Sequence, residues 1–110
     1  MNKDRLKYRI WDKKQKKFHY IEIGYLFFET DKCEQCTGIK DESGDLIYEN
    51  DIVELDDNTE MVYAVIEWDN NAGCWNIRTS DKIYTFDNLY GNEIRVVGNI
   101  HQNPKLLENF

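Results

Sequence analysis

Few residues of this 110-residue chain have types and spacings that suggest chemistry. Cys33 and Cys36 form a Cys-x-x-Cys pair, the spacing of half a structural zinc site or of a redox dithiol. A structural zinc needs four ligands, and the other candidates, Cys74, His19 and His101, stand alone in the sequence. A redox pair belongs at the strand-to-helix turn of a βαβ unit, and no such unit is readable here. The pair therefore reads as ordinary reduced cysteines, and three cysteines close no disulfide set. Asp41-Glu42-Ser43-Gly44-Asp45 begins like a calcium loop. It then fails, with Leu46 where the sharp-turn glycine belongs and Ile52 where the bidentate glutamate belongs. No nucleophile elbow surrounds Ser43, Ser80 or any cysteine, and there is no glycine-rich phosphate loop or dinucleotide fingerprint. The reading is of a protein with no catalytic residue, no metal ligand and no cofactor.

Charge is the stronger signal. Residues 1–17 hold eight bases and two acids, while the remaining 93 residues hold six bases and nineteen acids. Lys13, Lys14, Lys16 and Lys17 crowd one predicted turn, followed by Phe18 and Tyr20. Residues 41–60 carry nine acids and no base. Asp41, Glu42, Asp45, Glu49, Asp51, Asp56 and Asp57, together with the four lysines, make up the candidate interaction surface. The plainer reading of the acids is a solvated face that keeps the domain in solution. The plainer reading of the lysines is a charged hairpin turn that pairs with the acidic body of its own or a neighbouring chain. An acidic body repels the nucleic acid backbone, so generic nucleic acid binding is disfavoured.

The elements that must position these groups are short strands. Aromatic residues are frequent, with three Trp, seven Tyr and five Phe, while alanine occurs only at Ala64 and Ala72; both favour strands over helices. Tyr8–Asp12 and Phe18–Glu29 alternate like strands around the turn Lys13–Lys17, with an interruption at Gly24. The clearest unit is a hairpin. Met61–Trp68 puts Val62, Ala64, Ile66 and Trp68 on one face, Asn70-Asn71-Ala72-Gly73 turns, and Cys74–Thr79 returns with Trp75 and Ile77. Val62, Ala64, Ile66, Trp75 and Ile77 are the predicted core. Leu46–Tyr48, Ile52–Leu55, Lys82–Phe86 and Glu93–His101 supply further strand-like pieces, and Lys105–Phe110 suits a single helical turn. Tight polar turns between short strands predict a mostly β fold. The expected layout is a small SH3-like barrel over about residues 46–101, with residues 1–45 an N-terminal β subdomain of one 1–110 domain.

Three separated segments then agree with one pattern. The first is Tyr8-Arg9-Ile10-Trp11-Asp12. The second is Thr37-Gly38-Ile39-Lys40-Asp41, then Gly44, then Ile47-Tyr48-Glu49-Asn50-Asp51-Ile52-Val53. The third runs from Val97-Gly98-Asn99-Ile100-His101 through Gln102-Asn103-Pro104 to Leu107. In order and spacing these resemble the YopX family of phage and prophage proteins of mainly Gram-positive bacteria, over residues 7–107. The family pattern commonly has glycine where this chain has Asn50, a mild departure because asparagine tolerates the left-handed conformation. It has an aromatic residue where this chain has Cys36, which argues further against a zinc site. The resemblance implies an intracellular protein of phage or prophage origin and supplies no activity, cofactor or catalytic residue.

The expected function is accordingly a non-enzymatic interaction module that binds a host or phage protein of unknown identity. An acidic nucleic-acid mimic and a weak nucleic-acid binder using the basic arm are the alternatives. No apolar run or leader points to a membrane or to export, so the cytoplasm of the bacterial host is the expected compartment. Aromatic richness, the adjacent Phe27 and Phe28, and the opposed charges of the Lys13–Lys17 arm and the Asp41–Glu60 body predict a homo-oligomer.

Overall fold

The computed structural model describes residues 7–22, 33–56, 60–87 and 93–108. The chain forms nine strands there: β1 (Lys7–Asp12), β2 (Lys17–Glu22), β3 (Cys33–Lys40), β4 (Leu46–Tyr48), β5 (Asp51–Asp56), β6 (Met61–Asp69), β7 (Cys74–Arg78), β8 (Ile83–Thr85) and β9 (Ile94–Asn99). A 3-10 turn, Pro104–Leu107, follows the last strand. The strands make two antiparallel sheets, in the orders β2-β1-β3-β4 and β8-β7-β6-β5-β9. The second is a meander whose last strand returns beside its first, and it curls as a half-barrel. The mostly β, small-barrel reading of the sequence therefore holds. Its boundary shifts, because Leu46–Tyr48 pairs with β3 in the first sheet and the barrel-like sheet begins at Asp51. The expected Gly24 interruption and the Phe27–Phe28 pair lie outside the described residues.

The predicted hairpin is present in its expected register, with Ile66 opposite Ile77 and Trp68 opposite Trp75. Ala64, Ile66 and Ile77 are fully buried beside Ile47, Val53, Leu55 and Ile94; Val62 and Trp75 pack on that core but are half-buried. Trp68 continues the same face of β6 yet is 44% exposed, because the strand outruns the core it helps to build. Ile39 and Ile47 bring the first sheet into the same core. Burying such side chains stabilises the fold by about 1.5–3 kcal/mol each.

The β1–β2 and β6–β7 turns are each built by an aspartate at the end of the first strand. The Asp69 Oδ1 accepts the N–H groups of Asn71 and Ala72 at 2.9 and 3.1 Å, and Gly73 takes the left-handed φ of 67°. The Asp12 Oδ1 accepts those of Lys14 and Gln15 at 2.9 and 3.0 Å. There the left-handed position, φ 54°, is filled by Lys16, where a side chain costs roughly 1–2 kcal/mol that glycine avoids.

Candidate functional site

The three family-like segments converge on one buried cluster between the sheets, with Arg9 at its centre. Arg9 is central in β1, flanked across the sheet by Tyr20 on β2 and Glu34 on β3. Its Nε donates to Glu34 Oε1 at 2.9 Å, and its Nη2 donates to Asp51 Oδ1 at 2.8 Å and to the Glu49 carbonyl at 3.1 Å. The guanidinium also faces the rings of Phe18 and Tyr48, 4.1 and 4.7 Å from their centroids, a geometry that adds cation–π attraction.

The second oxygen of each carboxylate is engaged as well. Asp51 Oδ2 accepts the Tyr48 N–H at 2.8 Å, and Glu34 Oε2 accepts the Asn50 amide N–H at 2.6 Å and contacts His101 Nε2 at 2.8 Å. Asn50 holds φ 68°, the left-handed conformation that glycine would supply, and its side chain adds the bond to Glu34 that glycine could not. His101 is placed by the turn after β9, where Asn99 Oδ1 accepts the N–H groups of His101 and Gln102. Gly98 is required there, since a Cβ would lie 2.5 Å from the Asn103 side-chain oxygen. The His101 ring stacks on Trp11 with centroids 5.1 Å apart and planes at 9°.

Electrostatics follows from one guanidinium serving two buried carboxylates. Burial works against the charge of Arg9, but Asp51 and Glu34 outweigh it and raise its pKa. Burial, helped by the nearby charge of Glu34, pushes Asp51 from 3.8 up to about 6 against the pull of Arg9 and the Tyr48 N–H. Burial likewise raises Glu49, and it pushes the Tyr48 phenol up to about 12. Tyr48 therefore stays protonated and is no nucleophile. Among the described residues no buried side-chain nitrogen or oxygen lacks a hydrogen-bond partner. A cluster so fully satisfied ties sheets together; it offers no open valence to a substrate.

The acidic residues divide. Asp41 and Asp51 are 5% and 3% exposed and Glu49 is half-buried, so these three do not belong to a solvated face. Asp41 Oδ1 accepts the N–H groups of Ser43 and Asp45, and its Oδ2 accepts that of Val96 at 2.9 Å. With the Glu42 N–H, which donates to the Ile94 carbonyl, it pairs part of the outer edge of β9. Glu42, Asp45 and Asp56 are exposed, and Asp57 lies outside the described residues. Lys13, Lys14 and Lys16 stand exposed on the β1–β2 turn, and Lys17 stands exposed where β2 begins. Cys33 and Cys36, three apart on one strand, point to opposite faces of β3. Among the described residues no group of three or more His, Cys, Asp or Glu is placed to hold a metal ion.

Sequence reasoning passed over one surface feature. Trp68 and Trp75 meet edge to face, ring centroids 5.1 Å apart. They form a wall of an open groove of about 300 Å³, which Ile39, Cys74, Phe86 and Asp87 also line. The alternation of β6 and β7 places both tryptophans toward the core, and only the length of β6 beyond that core reveals the groove. Two other grooves each include a lysine, Lys7 in one and Lys105 in the other. The tryptophan groove has no basic residue in its lining.

Two antiparallel sheets locked by a buried ionic cluster, with the second curled as a half-barrel, define a small β-sheet protein class. The family model described as YopX protein matches residues 25–108, and the chain belongs to the YopX family. The first of the three segments, Tyr8–Asp12, precedes the matched residues; Arg9 nonetheless joins it to the second through Asp51, and Trp11 joins it to the third by stacking on His101. The fold is similar to the crystal structure of protein EF1440 from Enterococcus faecalis. The TM-score is 0.62 and the identity 23%, with 93% of this chain and 97% of that one covered. No curated protein matches the chain. The YopX family is not a known enzyme family. No helix among the described residues is long and apolar enough to cross a membrane.

Proposed function

We propose that this YopX-family protein is a non-enzymatic interaction module of phage or prophage origin, working in the bacterial cytoplasm by binding a protein partner through the Trp68–Trp75 groove. The observation that carries this reading is the exposure of Trp68, 44%, at the mouth of an aromatic groove. Tryptophan in a partly desolvated pocket is the residue type most often dominant in protein interfaces. The buried Arg9 cluster supports the same reading from the other side: its charges are spent on the fold. The nucleic-acid-mimic alternative loses support, because Asp41 and Asp51 turn inward and the carboxylates left on the surface are fewer than the run 41–60 suggests.

The test is quantitative capture from host lysate by the wild-type chain and by Trp68→Ala, followed by titration of the purified captured protein. A partner whose affinity falls at least about tenfold with Trp68→Ala, the loss expected of an interface hot spot, supports the reading. A partner bound equally by both chains overturns the assignment to this groove.

A further inference from the structure

We propose that the occupant of the tryptophan groove is the Lys13–Lys17 turn of a second copy of this chain, so that the protein self-associates. The inference rests on the groove being the interaction surface just described, and names its partner.

Three observations meet. The groove is aromatic and carries Asp87 with no base in its lining. Such a site suits a lysine: the methylene stem packs on the indole, and the ammonium reaches the ring face and the carboxylate. At about 300 Å³ the groove is at the small end of binding pockets, the size for a few side chains from a turn.

The turn supplies those side chains in a fixed geometry. Asp12 accepts the N–H groups of Lys14 and Gln15, and the Lys16 N–H donates to the Asp12 carbonyl at 2.7 Å. The four lysines are exposed, and their ammonium groups make no ion pair with the described residues. Presenting them on a rigid turn lowers the ordering cost of binding.

The third observation is Lys16 itself. At the matching point of the other hairpin the left-handed residue is Gly73, φ 67°, whereas Lys16 holds φ 54° with a full side chain. The position thus adds a further ammonium group to the exposed turn where glycine would add none. Turn and groove are different surfaces, so the contact closes either as a two-fold dimer with two reciprocal contacts or as a ring.

The experiment is sedimentation velocity of the full chain across the micromolar range at low and high salt. Association at low salt that weakens at least about tenfold toward 1 M salt, where the Debye length falls to about 3 Å, is expected. Lys14→Glu and Asp87→Lys are both on exposed residues; each alone gives monomer. Mixed in equal amounts they associate again, because the reversed turn now meets the reversed groove. A monomer at every concentration and salt, or an oligomer indifferent to both variants, overturns the proposal. If the wild type is monomeric while Trp68→Ala still loses a captured partner, the groove stands and only its self-docking falls. If the captured partner is indifferent to Trp68→Ala, the groove assignment itself falls.

Discussion

Arg9 and Asp51, 42 residues apart, bond at 2.8 Å across the junction of the two sheets, and both are buried. That contact gives the family-like segments a single physical purpose. Tyr8–Asp12 delivers the cation, Tyr48–Asp51 an anion and a left-handed corner, and the turn after β9 a histidine that reaches Glu34. The apolar core crosses between the sheets through Ile39 and Ile47, so the ionic cluster carries much of the remaining junction.

Removing the cation alone is therefore expected to be severe. Arg9→Met leaves Glu34 and Asp51 buried without a counter-charge, which costs about 3–5 kcal/mol in comparable buried pairs. Urea denaturation followed by tryptophan fluorescence should show the midpoint fall accordingly. A loss under about 1 kcal/mol, the size of an exposed ion pair, would mean that the cluster is solvated and not a junction.

The pH dependence has a defined sign. The folded state raises Asp51 from 3.8 to about 6, so it binds that proton more tightly than the unfolded chain does. The stabilisation is full below about pH 4 and is lost as pH rises through about 6, by at most about 3 kcal/mol. Glu49, raised by burial, acts in the same direction. Denaturation midpoints measured from pH 5 to pH 8 should decline for the wild type. In Asp51→Asn the decline should flatten, since the titrating group is gone; an unchanged slope would assign the effect to other carboxylates.

Legibility in the sequence followed the strength of local pattern. The β6–β7 hairpin was readable because Val62, Ala64 and Ile66 alternate and Asn70–Gly73 is turn chemistry. Strand β3 was not, because Cys33–Lys40 has no period-two contrast; its burial comes from neighbours on both sides. Arg9 was hidden among eight bases and Asp51 among nine acids, since net charge over a segment does not tell which member faces inward. Asp41 had a usable signal: an aspartate two residues before a backbone N–H it accepts, followed by glycine, is an Asx turn. The partnership of Glu34 and His101, 67 residues apart, has no local trace at all.

Asn50 separates backbone from side-chain effects. Its φ of 68° penalises any β-carbon, and its amide bonds Glu34 at 2.6 Å. Asn50→Gly keeps the conformation and loses the bond. Asn50→Ala loses the bond and adds the left-handed penalty of about 1–2 kcal/mol. Thermal or urea unfolding should therefore rank wild type first, glycine second and alanine last, with alanine about 1 kcal/mol below glycine. Equal stabilities for the two variants would show that the corner relaxes out of the left-handed region.

The exposed lysines also fix what any nucleic acid affinity must look like. The body is acidic, with a formal net charge of −7 for the whole chain, so attraction to phosphate has to come from the basic N-terminal arm, whose described, exposed lysines are Lys13, Lys14, Lys16 and Lys17. These four lysines displace at most four counterions, so their own share of the log–log salt slope is at most about −3 on single strands and about −3.6 on duplex. Fluorescence anisotropy with a labelled oligonucleotide should give weak binding at low salt that vanishes near physiological salt. Replacing the four lysines by glutamine should abolish it at every salt concentration. Tyr20, 62% exposed two residues beyond Phe18 on the same strand, offers a stacking platform that a salt-insensitive component would require. Binding that persists at physiological salt, survives loss of the lysines and falls with Tyr20→Ala would therefore identify a nucleic acid surface on β2 and displace the charge argument.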